Sequence, residues 1–214
     1  MKQKEDEQTI EAFSNGLIAS HYTPLLPPTS EVISGNRWMG SKTPDRIRDL
    51  WSTPLWLFRY LDQRYGPFNI DGAASANNAK CARYFSLGGE DAFFAKVVKG
   101  DKIFVNCPYS HVQPWVTLAK KWLAAGAEVT MVLPHDVSTQ WAADGIISAA
   151  EIIHIIGSVS GDKWRTGRVG FVNADSGKEV GGNNKPTLIL HFKPKSKCSK
   201  TLYISRPMME KAAV

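Results

Sequence analysis

Apolar residues along this chain follow two rhythms. Val112, Trp115, Val116, Ala119, Trp122 and Leu123 recur at three- and four-residue intervals, which places them on one face of a helix. The stretches "KIFVN" (102–106), "EVTMVLP" (128–134) and "EIIHIIG" (151–157) are instead short, nearly unbroken apolar runs. That pattern suits strands covered on both faces. Upstream, Leu57, Phe58 and Leu61 return to helical spacing after "WSTP", so Thr53 is expected to cap a helix with Pro54 in its first turn, and Gly66-Pro67 to end it. "FNIDGAAS" reads as a strand running into small residues, "ANNAKCARYF" as the opening of a further helix, and a short helix is expected between the last two apolar runs.

Apolar strands alternating with amphipathic helices predict an α/β fold with a mostly parallel sheet covered on both faces. After Gly157 the style changes. "RVGFVNADSGKEVGGNNKPTLILHFKP" reads as two strands bracketing turn-rich sequence, which predicts that an antiparallel C-terminal hairpin closes the sheet. Residues 1–42, with "TPLLPPTS" and "SGNRWMGSK", are rich in Pro, Gly and Ser without a period and predict a loosely ordered N-terminal arm. Residues 43–206 are then expected to form a single domain, since 214 residues are few for two full cores.

Charge sharpens this picture at one end. The net charge is +6, but residues 157–206 carry ten basic side chains against three acidic ones, so the excess is local to the C-terminal quarter. A basic edge on a neutral body is the electrostatic footprint of a phosphate-bearing partner. Within it, Lys163, Arg165 and Arg168 surround an aromatic in "SGDKWRTGRVGF" and are candidates for nucleic-acid phosphate contacts; a charged, solvated hairpin loop is the plainer alternative. Three cysteines without a CxxC or Cys/His cluster suggest neither a disulfide framework nor a metal site. The polar, acidic "MKQKEDEQTIEAF" lacks the features of a signal peptide, and no apolar run reaches membrane-spanning length, so a soluble protein of reducing cytoplasm is expected. Nothing in the sequence specifies an oligomeric state.

Ligands of open α/β sheets bind at the carboxyl ends of strands, and two strand ends here carry unusual chemistry: "DGAAS" and "NCPYS". The second suits a planar base bearing an exocyclic amine. The Asn106 side-chain carbonyl and the Cys107 backbone carbonyl can accept the two amino hydrogens, Pro108 fixes the turn, and Tyr109 stacks on the base. No His partner accompanies Cys107, which argues against a thiol nucleophile. Lys80 and Arg83 read as ordinary helix-surface charges, Trp115 and Trp122 as core, and His111 as either a DNA contact or a solvated loop histidine.

"NCPYS" is similar to the Asn/Asp-Pro-Pro-Tyr motif of amino-methyltransferases. Together with "WSTP", "FNIDGAAS", "NAKCARYF", "PWV", "VTMVLP" and "GRVGF", in that order, it resembles the phage-type DNA adenine N6-methyltransferase (Dam) family over roughly residues 50–192. The resemblance implies a Rossmann-like methyltransferase sheet with an antiparallel final strand, and methyl transfer from S-adenosylmethionine to adenine N6 in double-stranded DNA, with GATC the first guess for the site. It places the cofactor against Trp51, Ser52, Thr53 and Pro54 and against Asp71, Gly72, Ala73 and Ala74. The target base falls to Asn106, Cys107, Pro108 and Tyr109, and adjoining DNA to Ser110. Cys107 departs from the family's first proline. Methyl transfer to RNA or to a protein glutamine, and a catalytically decayed binding homologue, are the alternatives that the residues leave open.

Overall fold

The three apolar runs become the middle of a seven-stranded sheet. In the computed structural model, the described residues are 51–214 without 87, 174–175, 181–184 and 197–198; the expected N-terminal arm lies outside them. In chain order the elements are β1 (Trp51–Ser52), α1 (Leu55–Tyr65), β2 (Ile70–Asp71), β3 (Arg83–Tyr84), β4 (Lys102–Val105), α2 (Val112–Ala124), β5 (Glu128–Pro134), α3 (Gln140–Ser148) and β6 (Glu151–Ile156). There follow β7 (Ser158–Ser160), β8 (Lys163–Arg165), β9 (Phe171–Asn173), β10 (Glu179–Val180), β11 (Thr187–Phe192), β12 (Lys200–Ser205) and α4 (Arg206–Ala212).

The large sheet runs β12-β6-β11-β5-β4-β2-β3. Every neighbouring pair is parallel except those of β11, which lies antiparallel to both β5 and β6. All six residues of β11 are buried, which a strand attains only with neighbours on both edges and cover on both faces. The two strands expected to form one closing hairpin therefore separate. "TLILHF" inserts into the sheet as β11, whereas "FVN" becomes β9 of a small antiparallel sheet, β1-β9-β10.

Alternation along the strands divides the interior into two cores. From β5, Val129, Met131 and Leu133 pack toward α2 with Val116, Ala119 and Trp122, while Val132 joins Leu57, Leu61, Phe104, Ile153, Ile189 and Met209 beneath α1 and α4. Each of the Val, Leu, Ile, Phe and Met side chains among them, withdrawn from water, contributes about 1.5–3 kcal/mol. The helix of 112–124 forms as its spacing predicts.

Two local expectations fail. Thr53 does not cap α1: the cap position is Pro54, whose carbonyl accepts from the Leu57 and Phe58 N–H groups, and no side chain bonds there. Nor is there a helix in 76–85. One turn forms, with the Asn78 and Ala79 N–H groups on the Ser75 carbonyl, and it stops where the Lys80 N–H donates to Asp71 Oδ2 at 2.9 Å, so a side chain takes a backbone donor that a longer helix needs. The chain turns back at once into β3, parallel to β2.

Candidate active site at the strand ends

Parallel pairing of β2 with β4 sets Asp71 opposite Phe104, which brings the two unusual strand ends side by side. Gly72 allows the approach. Its N–H donates to the Phe104 carbonyl at 2.7 Å, and a Cβ there would sit 3.0 Å from side-chain carbons of both Ile103 and Val105. Beyond these ends opens a pocket of about 520 Å³, a size suited to a small organic ligand. β1 forms part of its wall and is itself held by β9, where Trp51 stacks on Phe171 with centroids 6.3 Å apart.

Several of the residues singled out in the sequence line this pocket: Trp51, Ser52, Thr53, Asp71, Ala73, Ala74, Asn106, Pro108 and Ser110. Pro54, Gly72, Cys107 and Tyr109 do not. Cys107 is buried in the core beneath α2, and Tyr109 sets its ring edge-on to Phe171 at 5.9 Å, with its hydroxyl 3.5 Å from the Val132 carbonyl. Beyond the end of β4, Asn106, Pro108 and Ser110 thus line the pocket, while Cys107 and Tyr109 pack against the protein interior.

Three buried side-chain atoms of the described residues have no hydrogen-bond partner: Trp51 Nε1, Thr53 Oγ1 and Asn106 Oδ1. All three belong to pocket-lining residues. Each such atom costs about 1–3 kcal/mol until something bonds it. The Asn106 amide is oriented by chemistry: its Nδ2 donates to the Trp51 carbonyl at 3.0 Å, which can only accept, so the bare oxygen is the end left over.

Asp71 is the opposite case. Its Oδ2 receives the Lys80 N–H and its Oδ1 the Ala73 N–H at 3.4 Å, closing the loop that walls the pocket. Burial pushes its carboxyl above the usual range, and those two N–H bonds work against that rise.

Some pocket residues escaped the sequence reading. Lys80, assigned above to a helix surface, is half-buried in the pocket wall, and Trp115, assigned to the core, joins Phe93 there in an edge-to-face pair at 5.1 Å. His111 also lines the pocket. The adjacent aromatics of "DAFFA", in a segment with no helical or strand period, were the available signal for Phe93; Trp115 and His111 were legible from their place directly after a strand-end motif.

Lys163 and Arg165 lie on β8, which pairs with β7 in an exposed two-stranded ribbon carrying Trp164 at 70% exposure. Neither they nor Arg168 line the pocket. The ribbon is fastened to α4: Arg165 pairs with Glu210 at 3.2 Å, and Arg206 donates to the Arg168 carbonyl at 2.7 Å. Among the described residues no His/Cys/Asp/Glu cluster has the makings of a metal site, and no helix is long and apolar enough to cross a membrane.

A large, mostly parallel α/β sheet with a ligand-sized pocket at an Asn-Cys-Pro-Tyr strand end is consistent with a methyltransferase-like fold. A family model described as DNA N-6-adenine-methyltransferase (Dam) matches residues 40–214, and the chain belongs to that family. It is 36% identical over 202 residues to a DNA N-6-adenine-methyltransferase of Escherichia phage T1, covering 88% of this chain and 84% of the relative. A DNA N-6-adenine-methyltransferase of Haemophilus phage HP1 (strain HP1c1) is 31% identical over 158 residues, covering 73% of this chain and 85% of the relative.

Proposed function

We propose that this protein transfers the methyl group of S-adenosylmethionine to N6 of an adenine flipped out of duplex DNA, in the cytoplasm of the cell that holds that DNA, with GATC as its site. The observation that carries the reading is the buried, unpartnered Asn106 Oδ1, held in orientation by the Trp51 carbonyl at a strand end. The sheet is read as Rossmann-like, with β11 as the reversed strand of that architecture.

The pocket fits the cofactor in volume and in its mixture of aromatic wall, orphaned donor and acceptor, and one lysine. Trp51, Ser52, Thr53, Ala73 and Ala74 would hold it, with Asp71 fixing the loop that carries Ala73 and Ala74. When bound, S-adenosylmethionine supplies a methyl carbon made electrophilic by the adjoining sulfonium. Asn106 Oδ1 and the Cys107 carbonyl accept the two amino hydrogens of adenine, which favours a pyramidal N6 whose lone pair is free of the ring. Pro108 fixes the turn, and stacking of the base on Tyr109 requires that ring to turn from Phe171 toward the pocket. Positioning and electrostatics then supply most of the rate, and no general base is required before attack. Flipping costs about a few kcal/mol, of which stacking returns about 1–3 kcal/mol. Ser110, Lys163, Arg165 and Arg168 are assigned to the surrounding DNA.

Labelled methyl from S-adenosylmethionine, offered DNA, RNA and protein together, is expected to enter DNA alone. Modified-base sequencing after expression in a host without adenine methylation is expected to read N6-methyladenine at one short motif. Label in RNA or protein, or none in DNA, overturns the reading.

A further inference from the structure

Lys80 belongs to no helix and no salt bridge. Its side chain reaches into the pocket wall, where Nζ donates to Ser52 Oγ at 3.1 Å, and no carboxylate of the described residues stands within ion-pairing distance of it. The nearest candidate, Asp71, has both oxygens committed to backbone N–H groups. Asp91, the other carboxylate in the wall, accepts the Phe93 N–H at 2.9 Å. An ammonium has three donors and Ser52 uses one.

A half-buried cation without a counter-ion is costly, and burial accordingly lowers the Lys80 ammonium from its usual value, with Asp71 working the other way. The fold nonetheless anchors the residue firmly. Its own N–H closes the Asp71 loop, and its side chain lies against β1, so backbone and side chain are both positioned. Directly beside Ser52, the buried Thr53 hydroxyl also lacks a partner. A cation and an unbonded hydroxyl on adjoining wall segments form a receptor for a ligand carboxylate.

We infer that Lys80, held by Ser52 in the wall that Thr53 also lines, binds the carboxylate of the amino-acid end of the methyl donor and so fixes that end of the ligand in the pocket. The inference rests on the cofactor reading above and deepens it. It makes Lys80 a specificity-determining residue: the protein discriminates between ligands that share the adenosine and sulfonium but differ in the carboxylate.

Calorimetry with S-adenosylmethionine and with decarboxylated S-adenosylmethionine tests this on the full-length protein. The wild-type protein is expected to bind the carboxylate-bearing ligand about 10–100-fold more tightly, the range of a hydrogen-bonded charge pair. Lys80→Met is expected to remove most of that preference by weakening S-adenosylmethionine alone, and Lys80→Arg to retain much of it. Equal wild-type affinities for the two ligands overturn the inference without any variant, and an equal loss of both ligands in Lys80→Met makes Lys80 only a brace for the loop, which also overturns it. Absence of S-adenosylmethionine binding by the wild-type protein instead removes the cofactor reading, and this inference with it.

Discussion

Asp71 and Asn106 end neighbouring parallel strands, and the fold treats them oppositely. Asp71, buried in the pocket wall, carries a backbone N–H on each oxygen and holds the loop of residues 72–80. Asn106 lines the pocket, with its nitrogen secured and its buried oxygen unpartnered. The difference follows from charge. A buried carboxylate without donors is far more costly than a buried amide oxygen without one, so the backbone donors go to the carboxylate and the amide is the group that a fold can leave open for a ligand. One strand end braces its own loop, and the other leaves an unpartnered acceptor in the pocket wall.

The largest test of this contrast is Asn106→Ala. Turnover is expected to fall by about 10²–10³-fold, as for loss of one fixed hydrogen-bonding group at a reacting centre, with S-adenosylmethionine affinity nearly unchanged. Single-turnover methylation and calorimetry check it; near-wild-type methylation would move the chemistry away from this strand end.

A closed polar cluster at the opposite end of the strands supplies the comparison with a site that no ligand needs. There Tyr65 stacks on His191 at 3.9 Å, Arg64 and Tyr65 donate to Glu151, and Thr130 Oγ1 lies 3.0 Å from His191 Nδ1. Burial lowers the His191 pKa from 6.5 to about 4, so its imidazole is neutral at pH 7 and makes no ion pair with Glu128, 3.8 Å away. With the folded value depressed, stability from this group is complete above the unfolded pKa and lost as pH falls through the folded one. Urea unfolding between pH 7 and pH 4 is expected to show a loss of about 3 kcal/mol attributable to this residue, and His191→Gln to flatten that part of the profile.

Asp71→Ala comes next. Unpairing the Lys80 and Ala73 N–H groups is expected to cost about 1–3 kcal/mol of stability, and the loosened loop to weaken S-adenosylmethionine binding at the same time. Affinity lost at unaltered stability would make Asp71 a direct ligand contact and erase the contrast with Asn106. The smallest expected effect is that of Cys107→Ala. Its side chain faces the core, so a loss of about 1 kcal/mol is expected with most turnover retained. A folded but inactive Cys107→Ala protein would show that the thiol, rather than the backbone carbonyl, takes part.

The residues of "KIFVN", "EVTMVLP" and "EIIHIIG", the helical spacing of Val112 to Leu123 and the polar break at Asn106 were enough to read an α/β sheet with a polar strand end, because burial on a strand or a helix face writes a period into local sequence. Partners are another matter. That "TLILHF" enters between β5 and β6, that residues 76–85 turn on Asn78 and Asp71 rather than wind into a helix, that Lys80 reaches Ser52 across 28 positions of chain, and that Arg165 meets Glu210 were decided by tertiary structure. Each depends on an atom far away in the chain, or on a hydrogen bond competing with the local one. Periodicity records that a residue is covered, and carries no information about what covers it.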